Sequence, residues 1–234
     1  MLSVAENGEA FNIQANPPRS GGLSGISFAL TVKNDDGKIV VLETILGTVL
    51  PAACPERHIN RNGTFCIGLN SGKKITSPED AEQWWGFLAE FLDSQQSALK
   101  YRRWPPGRWL SHGEAAIEHL AMEKISQKLG WEEEIRIAIE HKQGWLGGML
   151  PRHRKNSDML VNQRLPCPRG CFRRKGKRSL RILRRKCPHK HQVSLLVKHE
   201  NSRRKLEASF VKEFLADGFV CCGTMNKCPF RIQK

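Results

Sequence analysis

The stretch HINRNGTFCIGL, residues 58–69, places a histidine, two asparagines, a glycine and one cysteine within nine residues. Asn62-Gly63 is a turn signal, so we expect Cys66 to lie just after a tight turn and near the surface. The residues before it, LPAACPER (50–57), contain prolines and follow neither strand nor helix spacing. The sequence therefore predicts an irregular loop that presents the thiol of Cys66.

The residues before this loop predict an antiparallel β-meander. GISFALTV (25–32) and KIVVLETILGTVL (38–50) are rich in branched side chains, and the turn-forming NDDG (34–37) separates them. FNIQA (11–15) is a candidate third strand. Branched and aromatic residues bounded by turn residues are typical of strands. The first part of the chain is thus expected to be a small sheet.

The residues after the loop predict one helix that crosses this sheet, over about 78–93. Ser77 is a capping residue, Pro78 occupies the first helical position and Asp80 the third. Apolar residues recur at helical spacing, which predicts a face buried in the core. These residues are Ala81, Trp84, Trp85, Leu88, Phe91 and Leu92. The predicted fold class is therefore α+β.

Further helices are expected later in the chain. Ser111 and Glu114 have the spacing of a capping box for a helix that Gly130 ends. A second short helix is expected near 131–141, and another over 203–216. The first two predict a small helical unit after the sheet.

Charge and cysteine content both change near residue 150. Residues 1–150 carry 15 lysines and arginines against 18 acidic residues, whereas residues 151–234 carry 23 against 5. Six of the eight cysteines also lie in the later part. We therefore divide the chain into a first domain over 1–112, a helical linker unit over 113–150 and a basic cysteine-rich module over 151–234.

The composition indicates a globular protein without membrane spans. Hydrophobic residues make up 39% and charged residues 26%, and no run approaches the roughly 18 apolar residues of a span. The first ten residues lack the basic and apolar regions of a secretory signal, so the expected location is the cytoplasm. There, cysteines more often bind metals or react than form disulfides.

The late cysteines have the spacing of zinc ligands. CPRGC (167–171) is a C-x3-C knuckle, and CPHKH (187–191) and CCGTMNKC (221–228) add further cysteines and histidines. Zinc prefers four nitrogen or sulfur ligands in a tetrahedron and can supply much of the folding free energy of a small module. The predicted ligands are Cys167, Cys171 and Cys187 with a fourth from His191, Cys222 or Cys228. A second zinc site and ordinary unpaired thiols are the alternatives.

Three roles are open for Cys66 from the residues alone. A nucleophile is one, since an amide-bearing residue a few positions upstream could donate a hydrogen bond to an oxyanion. A ligand in a mixed zinc site with Cys54 and His58 is the second. A buried structural thiol is the third, although the adjacent turn argues against it.

The cysteine stretch resembles the active-site loop of ubiquitin-conjugating enzymes. That family carries His-Pro-Asn, an Asn-Gly turn and then Ile-Cys-Leu with the catalytic cysteine. This chain has HIN (58–60), NG (62–63) and FCI (65–67), with isoleucine in place of the proline. The order of a β-meander, a cysteine loop and a crossing helix also matches, over about residues 10–95. The chain looks similar to the bacterial members in operon-encoded antiviral conjugation systems, some of which carry a cysteine-rich C-terminal extension.

The resemblance implies transthiolation on a UBC-like fold. Cys66 would accept the C-terminal carbonyl of a ubiquitin-like protein from an activating enzyme and pass it to an amine of a target protein. Asn60 would stabilise the oxyanion, with Asn62 as the reserve candidate. His58 is expected to hold the loop by hydrogen bonds rather than to act as a general base. Thioester exchange needs positioning and charge stabilisation more than a strong base.

Two functions without catalysis remain as alternatives. A zinc-binding adaptor would keep the fold and use it as a binding module. A nucleic-acid-binding protein would use residues 172–186, of which nine in fifteen are basic. The same charge would also suit an acidic protein partner or a solvated surface. No membrane partner is expected.

Overall fold

The predicted α+β class is confirmed by a computed structural model, which describes residues 3–4, 10–17, 25–69, 71–72, 75–155, 157–161, 172–173, 180–181, 187–226 and 228–231. The strands are β1 (Ser3–Val4), β2 (Ala10–Ala15), β3 (Phe28–Asp35), β4 (Lys38–Glu43), β5 (Phe172–Arg173) and β6 (Leu180–Arg181). The helices are α1 (Pro78–Tyr101), α2 (Ala115–Leu129), α3 (Glu132–His141), α4 (Gly144–Gly147) and α5 (Lys190–Ala216), and a 3-10 helix spans Pro55–Arg57.

The chain forms two compact units. The first, the sheet unit, consists of Met1–Arg108 together with the return segment Phe214–Lys234, and the second, the helical unit, consists of Trp109–Glu213. Residues distant in sequence therefore complete the sheet unit. The predicted division into three domains, with boundaries at residues 112 and 150, stays a prediction.

The sheet unit is built on an antiparallel meander. Strands β1 to β4 lie in chain order, and β3 turns into β4 through Asp36 and Gly37, which both have positive φ. This is the turn that NDDG predicts. The buried residues of β3, at alternate positions, share one core with the buried face of α1. The core residues are Phe28, Leu30, Val32, Val41, Leu50, Ile59, Phe65, Trp84, Leu88, Phe91 and Leu92.

The strand predicted over 38–50 ends early, at Glu43. The buried carboxylate of Glu43 accepts hydrogen bonds from the backbone N–H groups of Gly47, Val49 and Leu50. These bonds bend the residues after Glu43 around its side chain. Their N–H groups donate to the carboxylate and not to a neighbouring strand. Branched residues favoured a longer strand, but local side-chain-to-backbone bonds competed successfully with sheet pairing.

Helix α1 begins as predicted. The N–H of Asp80 donates to Oγ of Ser77, and the Asp80 carboxylate accepts the N–H of Ser77, which completes a capping box. Trp84 is buried on the core face, but Trp85 is 40% exposed. Trp85 was predicted to face the core and does not, because consecutive residues lie about 100° apart around a helix.

The second predicted capping box is wrong. Helix α2 begins at Ala115 after Glu114, and no side chain caps it. Ser111 has a different role, because its hydroxyl lies 3.3 Å from Nδ1 of His119 and accepts a hydrogen bond from Arg203. The predicted end is correct, since Gly130 adopts a left-handed conformation after the helix.

The helical unit packs around the N-terminal half of α5. The helix predicted over 203–216 begins much earlier, at Lys190, because Val193, Leu196 and Val197 are buried in the core of this unit. Strands β5 and β6 pair antiparallel within the basic stretch. Among the described residues, no helix is long and apolar enough to cross a membrane.

A buried arginine fastens the cysteine loop to α1. The Arg57 side chain is fully buried; its Nε donates to Oε1 of Gln95 at 2.8 Å and its Nη2 to the Gln95 carbonyl at 3.3 Å. In return, Nε2 of Gln95 donates to the Arg57 carbonyl at 2.6 Å. Buried charged groups are tolerated when such bonds compensate for lost water. The loop before Cys66 therefore depends on one residue of α1.

Replacing Gln95 by leucine should destabilise the sheet unit strongly. The change removes an acceptor from a buried cation, which costs about 3 kcal/mol. Urea unfolding followed by tryptophan fluorescence measures the loss. Gln83, exposed on the same helix, provides the control, and Gln83→Leu should change stability by less than about 0.5 kcal/mol. Equal losses in the two variants would contradict the role of Gln95.

Candidate active site

The cysteine loop, residues 54–68, contains a narrow hairpin that ends at Cys66. The N–H of Cys66 donates to the His58 carbonyl at 2.7 Å, and the N–H of Asn60 donates to the Thr64 carbonyl at 2.9 Å. Cys66 therefore lies directly opposite His58. The hairpin is attached to the sheet as well, because the N–H of Phe65 donates to the Val41 carbonyl at 2.8 Å.

The turn of this hairpin requires glycine. Gly63 has a φ of +80°, a conformation that other residues rarely adopt. A Cβ at this position would also overlap the side chain of Leu46. The Asn-Gly turn predicted from the sequence is thus confirmed, and Cys66 beyond it is exposed.

Thr64 connects the two candidate asparagines. Nδ2 of Asn60 donates to the Thr64 hydroxyl at 3.0 Å, and that hydroxyl donates to Oδ1 of Asn62 at 2.7 Å. Oδ1 of Asn62 also accepts the N–H of Thr64 at 3.1 Å. Both asparagines therefore brace the turn, Asn60 through one of its two amide N–H groups and Asn62 through its side-chain oxygen. Asn60 keeps a second N–H and stays the predicted oxyanion donor, with Asn62 as the reserve candidate.

His58 is placed for a structural role. It is 6% exposed, has a positive φ as the residue that ends the 3-10 helix, and its ring centroid lies 5.0 Å from that of Trp104. A buried imidazole against an aromatic ring is poorly positioned to exchange protons with solvent. The position supports the expected role of His58 in holding the loop.

The acidity of Cys66 is set by opposing effects. Although the residue is exposed, partial burial of its sulfur raises the pKa of the thiol above the ordinary value. A backbone hydrogen bond from Gly68 and the charge of Lys38 act in the opposite direction. The net pKa is raised, so Cys66 is mainly a thiol at neutral pH. Its chemistry then depends on positioning and on an activated substrate.

The structure describes four of the six predicted zinc ligands. Cys167 and Cys171 lie outside the described residues. Cys187 belongs to the helical unit, where it packs against the core, and His191 lies on α5. Cys222 and Cys228 belong to the return segment of the sheet unit. Within the part of the chain that the structure describes, no group of three or more histidine, cysteine or acidic residues could hold a metal, and this includes the mixed site of Cys54, His58 and Cys66.

The structure instead pairs Cys54 with Cys222, with their sulfur atoms 3.1 Å apart. Their hydrogen bond raises the pKa of Cys54 and lowers that of Cys222 to about 5. A second pair, Cys221 and Cys228, is also hydrogen-bonded, and burial raises the pKa of Cys228 to about 12. The sequence carries no sign of the Cys54–Cys222 pair, because the partners are 168 residues apart.

Sequence reasoning also missed the contacts of the return segment with the loop. The Arg61 guanidinium lies 4.1 Å from the centroid of the Phe214 ring and forms a salt bridge of 3.1 Å with Asp217. Arg102, which follows α1, donates to the Gly223 carbonyl at 2.6 Å. The end of the chain is therefore fastened to the cysteine loop and to α1.

Alkylation of Cys66 by iodoacetamide should require a higher pH than alkylation of an unperturbed cysteine. A raised pKa leaves less thiolate at a given pH, and the thiolate is the reactive form. Lys38→Met removes a charge that lowers the pKa, so the rate at pH 8 should fall further. Peptide mapping of Cys66 between pH 6 and 10 measures both effects. Lys128→Met, in the helical unit, should leave the Cys66 profile unchanged, and an equal shift in the two lysine variants would contradict the assignment.

Two family models match the chain. Residues 4–106 match the prokaryotic E2 domain, and residues 111–230 match a cysteine-rich domain C-terminal to the E2 domain. No curated protein and no solved structure matches the chain. The matches confirm the resemblance to bacterial ubiquitin-conjugating enzymes with a cysteine-rich extension and indicate a role like that of those enzymes. The chain thus belongs to the family in which a prokaryotic E2 domain is followed by a cysteine-rich domain.

Proposed function

We propose that this protein is a conjugating enzyme that carries a ubiquitin-like protein as a thioester on Cys66. The observation that supports this most directly is the exposed residue Cys66 at the end of a hairpin whose backbone is fixed on both sides. An adaptor without catalytic activity would have no need for an accessible thiol at this position. The family match supports the same function.

In the first step, the Cys66 sulfur attacks the carbonyl carbon of the activating enzyme's thioester. A new carbon–sulfur bond forms, the old one breaks, and the activating enzyme's cysteine leaves as a thiolate. The proton of Cys66 passes to solvent or to the leaving thiolate. Because one thioester replaces another, the step needs little driving force, which suits a thiol with a raised pKa.

In the second step, an amine of the target attacks the same carbonyl, a carbon–nitrogen bond forms, the carbon–sulfur bond breaks and Cys66 leaves as a thiolate. The proton of the attacking amine passes to solvent or to that thiolate. The tetrahedral intermediate carries a negative oxygen, which an amide N–H can stabilise. Asn60 fits this role, since its amide is oriented by Thr64. Thr64 then acts as a positioning residue. His58 holds the hairpin and takes no proton in this scheme.

An apolar surface beside the hairpin supports docking of the ubiquitin-like protein. Leu46 lies against Gly63 in the turn and is 45% exposed, and the adjacent Ile45 is 73% exposed. Large exposed apolar residues beside a reactive group are typical of protein-binding sites. The protein bound there would be held while its C-terminus is attached to Cys66.

The wider setting is also part of the proposal. The family resemblance supports a bacterial protein that works in the cytoplasm, in antiphage defence, together with an activating enzyme and a protein target. The cysteine-rich domain is compatible with a structural zinc ion. Its basic residues suit an acidic protein partner, and a nucleic acid is the alternative partner for the same charge.

Loading of Cys66 is the first test. The protein is incubated with ATP and with the activating enzyme and ubiquitin-like protein encoded beside its gene, and adducts are separated with and without reductant. We expect an adduct that reductant removes and that Cys66→Ala abolishes. Cys66→Ser should give a reductant-stable ester instead, while Cys221→Ser should load normally. An adduct that persists in Cys66→Ala would disprove the assignment.

The role of Asn60 is tested after loading. In Asn60→Ala, discharge of the thioester to free lysine should slow about 100- to 1,000-fold, the typical effect of losing an oxyanion donor. Loading should change far less. Thr64→Val should slow discharge by a smaller factor, since the amide remains but loses its support. If Asn60→Ala reduces loading and discharge equally, the residue has a structural role only.

A further inference from the structure

One contact between the return segment and the cysteine loop joins two thiols. Sγ of Cys54 and Sγ of Cys222 are 3.1 Å apart, and both residues belong to the sheet unit. A disulfide has a sulfur–sulfur length of about 2.05 Å, so a shift of about 1 Å would bring the sulfurs to bonding distance. Among the described residues, no other two cysteines that are distant in sequence are hydrogen-bonded to each other.

A buried positive charge lies beside this pair. The Arg57 guanidinium is fully buried, and its Nη1 has no hydrogen-bond partner among the described residues. Its charge acts on both sulfurs. This positive charge can compensate a negative charge on the pair during thiol–disulfide exchange, in which a thiolate is the attacking species.

The two thiols differ in access. Cys222 is half-buried, whereas Cys54 is only 1% exposed. A small reagent can therefore reach Cys222 first, with Cys54 as the internal thiol that resolves the product. Attacking and resolving thiols in this arrangement are typical of redox-sensitive pairs.

We propose that Cys54 and Cys222 are a covalent modification site, where a reversible disulfide links the cysteine-rich domain's return segment to the cysteine loop of the E2 domain. The oxidant is a low-molecular-weight disulfide. Cys222 attacks one of its sulfurs and releases one thiol, which leaves a mixed disulfide on Cys222. Cys54 then attacks the Cys222 sulfur, loses its proton to solvent and releases the second thiol. Two protein thiols are oxidised and one reagent disulfide is reduced to two thiols.

The link would act directly on the candidate active site. The N–H of Cys54 donates to the Ile59 carbonyl and the N–H of Ile59 donates to the Cys54 carbonyl, both at 3.0 Å. Ile59 lies between His58 and Asn60. A covalent bond at Cys54 therefore holds the base of the hairpin that presents Cys66. This proposal does not depend on catalysis, because it concerns thiols that take no part in thioester transfer.

Oxidation of the full-length chain with oxidised glutathione tests the proposal. After acid quenching and peptide mapping, we expect a peptide in which Cys54 is linked to Cys222, and loss of both thiols. Cys54→Ser should instead accumulate a glutathionyl group on Cys222, and Cys222→Ser should leave Cys54 unmodified. Cys187→Ser, which removes a half-buried cysteine of the helical unit, should leave the link intact.

Amide hydrogen exchange measures the effect on the loop. Exchange at Ile59 should slow in the oxidised protein and return to its initial rate after reduction. A link of Cys221 to Cys228 with Cys54 still free would overturn the proposal. So would a zinc ion that native mass spectrometry finds in the wild type and that both Cys54→Ser and Cys222→Ser release. Oxidation that forms the link but leaves Ile59 exchange unchanged would contradict its action on the hairpin.

Discussion

The cysteine loop depends on a single buried cation. Arg57 has no exposed surface, and its guanidinium is held by Gln95 of α1 through two hydrogen bonds. The charge of the Glu43 carboxylate also acts on it. A buried charge without such partners would cost several kcal/mol. Because Arg57 directly precedes His58, the bonds that fix its side chain also fix the start of the hairpin that carries Cys66.

In the proposed reaction, Cys66 depends on positioning rather than on acidity. Its sulfur is partly buried, which raises the pKa, so the thiol lacks the high thiolate fraction of strongly nucleophilic cysteines. A thioester substrate arrives already activated, and the protein then needs a fixed sulfur and a fixed hydrogen-bond donor. In the proposal, Asn60 is that donor, and its hydrogen bond to Thr64, which in turn bonds Asn62, orients it. Gly63, with its positive φ and its contact with Leu46, fixes the turn of the hairpin that carries Cys66.

The compact unit that contains the E2 domain also includes residues from outside that domain. The end of the cysteine-rich domain returns to the sheet unit and contacts the cysteine loop through Arg61 and Cys54. Phe230 and Met225 of this segment are buried. The last residues of the cysteine-rich domain, from Phe214 onward, are therefore a structural part of the unit that carries the candidate active site.

The sequence by itself determined the local features of this protein: the meander turn at NDDG, the capping box at Ser77, and the Asn-Gly turn that exposes Cys66. Each depends on residues a few positions apart, whose conformational preferences act before any packing. Only the tertiary structure decided that β4 ends at Glu43, that Trp85 faces outward, that α5 extends back to Lys190, and that Cys54 meets Cys222. These outcomes depend on burial and on partners far apart in the chain, and hydrophobic and hydrogen-bonding energies favour them only once the folded chain has brought those partners together.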